Sequence, residues 1–384
     1  LKNIIIIGAG PSGLMAAEHL LKKGYKVSLY DHKTAAARKF LVAGHGGFNL
    51  THAMPYHQML QEYVPKDLLT HISSYTNKDT IQWLHNMGIS TFEGSSGKIF
   101  PEKHIKPIHV LQAWLNKLQA LGLNIYYEYK LIDFNNDTVS IQHKNKTIET
   151  LTFDKLILAL GGSSWKKTGS DGKWIQLFES KDIAITPLIA SNCGYETASN
   201  LHDLEGKVLK NIAIHTNHIY KKGEITFTQY GIEGSPIYYL NRFIHPSHLP
   251  KTIYIDLKPS VSQEKIESQL LHSKKIADAL KIKIKINDTA FNLLKKLPKK
   301  IYTHPSALSK NIKAYPITIL NVRPIDEAIS TAGGVSWAAL NNDLSLKQYN
   351  NVYCIGEMLD WDAPTGGFLL QACFSLGYKV AQYI

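Results

Sequence analysis

The feature that most constrains the fold lies within the first thirty-one residues. A short run, Asn3 to Ile7, whose last four residues are β-branched isoleucines, ends at Gly8 and reads as a buried parallel strand. Gly8-Ala9-Gly10-Pro11-Ser12-Gly13 follows and opens a helical pattern (Leu14, Ala17, Leu20, Leu21) that stops at Gly24, after which Val27, Leu29 and Tyr30 form a second strand ending at Asp31. A strand, glycine turn, helix and strand ending in an acid is the dinucleotide-binding arrangement of a Rossmann-type fold. Gly8 permits the tight turn, Gly10 lets backbone approach a pyrophosphate, and Gly13 lets the helix sit close to the strand. The helix N-terminus offers free N–H groups and partial positive charge to phosphate, and Asp31 accepts hydrogen bonds from an adenosine ribose. The motif alone leaves NAD and FAD both open.

The rest of the chain reads as an α/β protein with insertions. Residues 33 to 51 are rich in small side chains. Gly44, Gly46 and Gly47 let backbone lie against a flat ligand, and Arg38 and Lys39 are positioned to meet phosphate. His45 in this loop is read as a solvated histidine. Helical patterns cover Leu60 to Ile72, Thr80 to Met87 and Val110 to Leu121, and alternating strands cover Ile125 to Phe153 with a hairpin at Asp133 to Asp137. Leu156 to Leu160 is a buried strand that stops at Gly161-Gly162, where an α/β sheet places its ligand. From Thr186 to Ile255 short strands and turns predict a small barrel, and Val261 to Ile312 is helical by composition. Within it, the alternation Lys281-Ile282-Lys283-Ile284-Lys285-Ile286 reads locally as an amphipathic strand and conflicts with the helical reading. Buried strands return at Ile317 to Val322 and Asn351 to Ile355. The latter ends in Gly356-Glu357, and Gly366-Gly367 opens a final helix, Phe368 to Tyr383, so a second helix N-terminus can be aimed at the same ligand.

Composition narrows the chemistry. Three cysteines, Cys193, Cys354 and Cys373, neither form a disulfide framework nor show zinc-site spacing, so a reducing, cytoplasmic setting is expected. Cys193 and Cys373 read as small buried hydrophobes. No stretch is long and apolar enough for a membrane span or a cleaved leader, and neither is expected. The net charge of +12 is local: Lys251 to Lys313 holds fourteen lysines, no arginine and five acidic residues, a net +9. Such a stretch is ordinarily a solvated face, with nucleic acid as the less favoured partner.

Taken together, these segments resemble the BaiN/RdsA (YhiN-type) family of NAD(P)/FAD-dependent flavoproteins, in particular its shorter subfamily. The likeness runs nearly end to end through IIIIGAGPSGLMAA, ARKFLVAGHGGFNLTH, GSSGKIFP, LALGGSSWKKTGSDG, SNCGY, GIEGSPIY, RPIDEAISTAGGV and GEMLDWDAPTGGF. The resemblance implies a split Rossmann-type FAD-binding domain (1–187 with 336–384), a β-barrel insert (188–258 with 314–335) and a small lysine-rich helical insert (259–313). It also implies that Gly8, Gly10, Gly13 and Asp31 hold the ADP half of FAD with Arg38 and Lys39 beside it. Gly46, Gly47 and Asn49 would lie by the flavin, Gly161 and Gly162 by the ADP region, and Gly356, Glu357, Gly366 and Gly367 by the ribityl chain and ring. Trp361 and Asp362 stand where they could line a substrate pocket or pack structurally.

One departure is plain: longer members carry Gly-Arg-Cys-Asn where this chain has Gly46-Gly47-Phe48-Asn49. No second GxGxxG follows Gly13, so NAD(P)H, if it is the electron donor, binds transiently and in another way. Flavin supplies its own redox chemistry, which accounts for the lack of a triad or metal cluster in the sequence. The expected activity is hydride transfer between FAD and a small organic substrate. A flavoenzyme acting on RNA and a non-catalytic flavin-binding sensor are the alternatives.

Overall fold

Four consecutive isoleucines without a turn signal are best satisfied inside a sheet covered on both faces. In the computed structural model, which describes residues 2–42, 47–198, 201–216 and 218–384, strand β1 (Asn3–Ile7) lies within a six-stranded sheet. The strand order is Ser345–Leu346, Tyr349–Cys354, Lys155–Leu158, β1, β2 (Lys26–Asp31) and Asn124–Tyr127. All neighbours are parallel except the first pair, which is antiparallel. The register sets Ile6 beside Leu29 on one side and Ile157 on the other, and Leu156 beside Val352. Helix α1 (Pro11–Lys22) connects β1 to β2, and α2 (Arg38–Val42) follows β2.

The final helix, Phe368–Tyr383, begins where the glycine pair predicts. It packs on α1 through Gly377, where a Cβ would come within 2.4 Å of the Ser12 carbonyl oxygen. Its Gln371 is fully buried, accepting from Thr51 Oγ1 and Thr80 Oγ1 at 2.7 and 2.8 Å and donating to the Tyr75 carbonyl at 3.0 Å. The single helix read over Leu60 to Ile72 is instead two short ones, Tyr56–Leu60 and Leu69–Ile72. Pro65 lies between them, and Val64 exchanges backbone hydrogen bonds with Asp362 at 3.0 and 2.8 Å, which holds the chain extended there.

The chain divides into two compact units, Leu1–Ala190 with Ile325–Ile384, and Ser191–Pro324. In the second, six antiparallel strands (Tyr195–Thr197, Gly231–Glu233, Tyr220–Phe227, Val208–His215, Lys251–Asp256 and Tyr315–Val322) close into a barrel. Helices Gln263–Leu271, Asp288–Leu294 and Pro305–Lys313 share one hydrophobic cluster with it, in which Ile214, Ile253, Ile266 and Leu308 are all fully buried. The ambiguous lysine–isoleucine alternation is not a strand: Ala279–Lys283 forms a π-helical turn, with the Ile284 N–H donating to the Ala279 carbonyl at 2.9 Å. Ile284 and Ile286 then enter the core while Ile282 stays 69% exposed, so the burial alternates without a strand partner. Among the described residues no helix is long and apolar enough to cross a membrane.

Candidate functional site

The three glycines of the first turn do different jobs. Gly8 adopts φ +111°, and a Cβ there would lie 2.2 Å from the Ala159 carbonyl oxygen. A Cβ on Gly13 would lie 2.0 Å from the Gly8 carbonyl oxygen. Both are packing requirements of the turn itself. Gly10 is extended (φ −80°, ψ 179°) and caps α1, yet nothing lies within 4 Å of the place its Cβ would occupy. Its missing side chain therefore leaves space that no protein atom fills. Pro11, which has no N–H, takes the first position of α1, and no acidic side chain occupies that first turn, so its partial positive charge is not neutralised from within.

At the end of β2, the Asp31 carboxylate braces this turn. Oδ2 accepts from the Ala9 N–H and Oδ1 from the Lys33 N–H, each at 2.7 Å. The Ala37 N–H donates to the Ala9 carbonyl at 2.9 Å and so fixes α2, with Arg38 and Lys39, against the same turn. A cavity of about 630 Å³ opens here. Gly8, Gly10 and Asp31 line one part of it, Arg38 and Lys39 another, and Gly161, Gly356 and Glu357 a third. Three stretches far apart in sequence thus meet where the parallel strands end.

Gly162 does not line the cavity but presses against Thr331, whose Oγ1 a Cβ would approach to 2.0 Å. That hydroxyl is buried and has no hydrogen-bond partner among the described residues. Gly47, Asn49, Gly366 and Gly367 form a separate knot. The Asn49 side chain donates to the Gly47 carbonyl at 3.2 Å and accepts from the Gly367 N–H at 2.5 Å. A Cβ on Gly367, at φ +101°, would strike the Thr51 backbone at 2.4 Å. Phe48, where longer family members carry cysteine, is buried edge-on to Phe40 at 4.8 Å. Gly46 and His45 lie outside the described residues.

Further residues complete the surroundings of the cavity. The Trp174 indole donates to the Gly161 carbonyl at 2.9 Å, and the Trp361 indole donates to the Gly356 carbonyl at 2.8 Å, so Trp361 packs and braces. Ser164 binds the Lys39 ammonium at 2.7 Å. Cys373 borders the cavity, and burial pushes its thiol up to about 12, which leaves it protonated at neutral pH. His32 and Lys33 border the Asp31 end, and burial holds the His32 imidazole below its usual value.

A largely parallel sheet with a glycine turn, an acid at the end of the second strand, and a second glycine-led helix packed on the first defines a dinucleotide-binding fold of the FAD-type Rossmann class. More particularly, the chain belongs to the family described as HI0933-like protein Rossmann domain, whose model matches residues 2–383. It is 25% identical to a ribosomal RNA dihydrouridine synthase of Haemophilus influenzae, covering 98% of this chain and 97% of that protein. It is 24% identical to a 3-dehydro-bile acid delta(4,6)-reductase of Clostridium scindens, with 98% of each covered. Among solved structures, 3-ketosteroid-delta4-(5alpha)-dehydrogenase from Rhodococcus jostii shares the fold at a TM-score of 0.55 and 9% identity, covering 100% of this chain and 97% of that one. The residues present fit FAD: Gly10 offers the space a Cβ would fill, and the cavity volume lies within the roughly 300–1,000 Å³ of cofactor sites.

Proposed function

We propose that this protein binds FAD in the cavity between the glycine turn and the Gly356–Glu357 turn, and that it moves a hydride between the cofactor and a carbon–carbon double bond conjugated to a carbonyl. The observation that carries the reading is the convergence of Gly10, Asp31 and Glu357 on one cavity. Bound FAD supplies the hydride exchange itself. The chain's own residues hold and orient. The α1 N-terminus and Arg38 receive the pyrophosphate, Asp31 a ribose hydroxyl, and Glu357 the hydroxylated chain.

The substrate class rests on the two relatives, matched almost equally, whose names describe saturating a double bond in a uracil ring and reducing an unsaturated bile acid. Both are electron-poor alkenes next to a carbonyl, the acceptor that hydride chemistry favours. NADH or NADPH serves as transient donor. The purified protein is expected to be yellow, to release FAD on denaturation, and to be bleached anaerobically by one of the two nicotinamides and recoloured by a steroid enone. Colourless protein that does not take up added FAD overturns the reading. A protein that binds FAD but exchanges no electrons is a binding protein rather than an enzyme.

A second reading makes the acceptor a uridine in RNA, and it is favoured by the basic helices of the second unit. Lys274, Lys275, Lys299 and Lys300 are exposed and make no ion pair among the described residues, whereas Lys296 is held by Asp203 at 2.6 Å and Lys281 by Asp288 at 3.2 Å. Fluorescence anisotropy with ribosomal RNA fragments at two salt concentrations separates the readings. Tight binding that weakens steeply with salt, and weakens less steeply after replacing those four lysines by glutamine, selects RNA. Weak, lysine-independent binding selects the small molecule.

A further inference from the structure

A lysine beside a phosphate-binding turn is ordinarily read as a phosphate ligand, but the Lys39 ammonium has other partners. It lies 2.8 and 3.0 Å from Glu357 Oε2 and Oε1 and 2.7 Å from Ser164 Oγ. An ammonium has three donors, and these acceptors use them. Glu357 is held further: its Oε1 accepts the Thr331 N–H at 3.2 Å, and its Cγ would lie 3.3 Å from a Cβ on Gly162. The side chains are only 27% and 16% exposed, and Ser164 is fully buried, so the pair is shielded more than a surface ion pair. Arg38, the preceding residue, makes no ion pair among the described residues and also borders the cavity.

We propose that Lys39 is a positioning residue for Glu357 and not a phosphate ligand. The clasp ties α2, the Gly162–Ser164 segment and the Gly356–Met358 turn together, and so fixes the Glu357 carboxylate with one lone pair of Oε2 left for a hydroxyl donor. Pyrophosphate is left to the α1 N-terminus and Arg38. The inference rests on the FAD reading above. It assigns Lys39 to the hydroxylated-chain half of the site.

ADP tests this, because it carries the adenosine and pyrophosphate of FAD but no ribityl chain. In titrations of the apoprotein, Lys39→Met is expected to weaken FAD about ten-fold or more, the loss of one charge-assisted contact, while ADP affinity stays within about two-fold. Glu357→Gln is expected to show the same split, and the double variant to be no worse than the more affected single one. Melting curves of the apo variants check the fold. Ser164→Ala, which removes only the second anchor of the ammonium, is expected to repeat the split on a smaller scale even if Lys39→Met unfolds. Equal loss of ADP and FAD makes Lys39 a phosphate ligand, and no loss of either makes the clasp idle; both results overturn the proposal. Wild-type protein that binds ADP but not FAD overturns the FAD reading and this inference with it.

Discussion

At the residue scale, the glycine turn holds two positions whose missing side chains the fold itself requires and one, Gly10, that the fold leaves open and the FAD proposal assigns to the cofactor. Gly10→Val is expected to leave the melting temperature of the apoprotein nearly unchanged, because its Cβ position is free of neighbours within 4 Å, and to abolish FAD binding. Gly8→Ala is expected to lower stability whether or not FAD is present, since its Cβ meets the Ala159 carbonyl at 2.2 Å in a backbone conformation that L-residues rarely adopt. Melts of both variants with and without FAD check the contrast. Asp31 braces the turn and, on the FAD proposal, also meets the ribose. Asp31→Asn keeps one acceptor but turns an amide donor toward the Ala9 or Lys33 N–H, so apoprotein stability and FAD affinity are expected to fall together, the latter by about 1.5–3 kcal/mol. A loss of affinity with no loss of stability would show that the brace is dispensable.

At the element scale, α1 is anchored by a buried carboxylate. Glu18 is fully buried, with Lys22 and Lys117 at 2.5 and 2.7 Å from Oε1, and the indoles of Trp83 and Trp114 both donate to Oε2 at 3.0 Å. Burial alone would push this carboxyl up, but the hydrogen bonds from Lys117, Lys22 and Trp83 outweigh it and hold it down to about 2. Glu18→Met, which leaves both indole donors and two ammoniums without their acceptor, is expected to cost about 3–5 kcal/mol in chemical denaturation. The same helix makes the fold sensitive to acid. Burial, reinforced by the charge of Lys22, holds the neighbouring His19 down to about 4 from its ordinary 6.5. Between those values the unfolded chain takes up a proton that the folded chain refuses, so stability falls as the pH drops through that window. Glu18, lowered from 4.5 to about 2, extends the fall to more acid pH in the same direction. Thermal melts across this range are expected to show the decline, and His19→Gln to make its upper part shallower.

At the scale of the whole molecule, two units with separate hydrophobic clusters imply two cooperative steps in unfolding. Ile214→Ala, in the fully buried cluster of the barrel unit, is expected to destabilise one step by about 2–5 kcal/mol and leave the other in place. Saturating FAD is expected to raise the other step, by about 2.7 kcal/mol at a hundred times its dissociation constant. A single transition moved equally by both would show that the two clusters unfold as one.

The sequence by itself determined the elements whose signals are local. The β1 run, the glycine turn, Asp31 and the glycine pair before Phe368 each specify a strand, a turn or a helix start within a few residues, because backbone sterics and side-chain periodicity act at that range. The family's motifs extended this to the Rossmann fold with its barrel. The tertiary structure decided what depends on distant partners. Only the fold brings Lys39 to Glu357 and Ser164, sets the Thr331 hydroxyl over Gly162, and surrounds Glu18 with two lysines and two tryptophans. Only the fold settles the alternation at Lys281–Ile286, whose first three residues belong to the π-helical turn Ala279–Lys283, because burial of Ile284 and Ile286 in the second unit's core, and not pairing with a neighbouring strand, satisfies that pattern. Apart from Lys22, one helical turn from Glu18, the partners of Lys39, Gly162 and Glu18 lie on chain segments 65 to 318 residues away, and no local pattern encodes them.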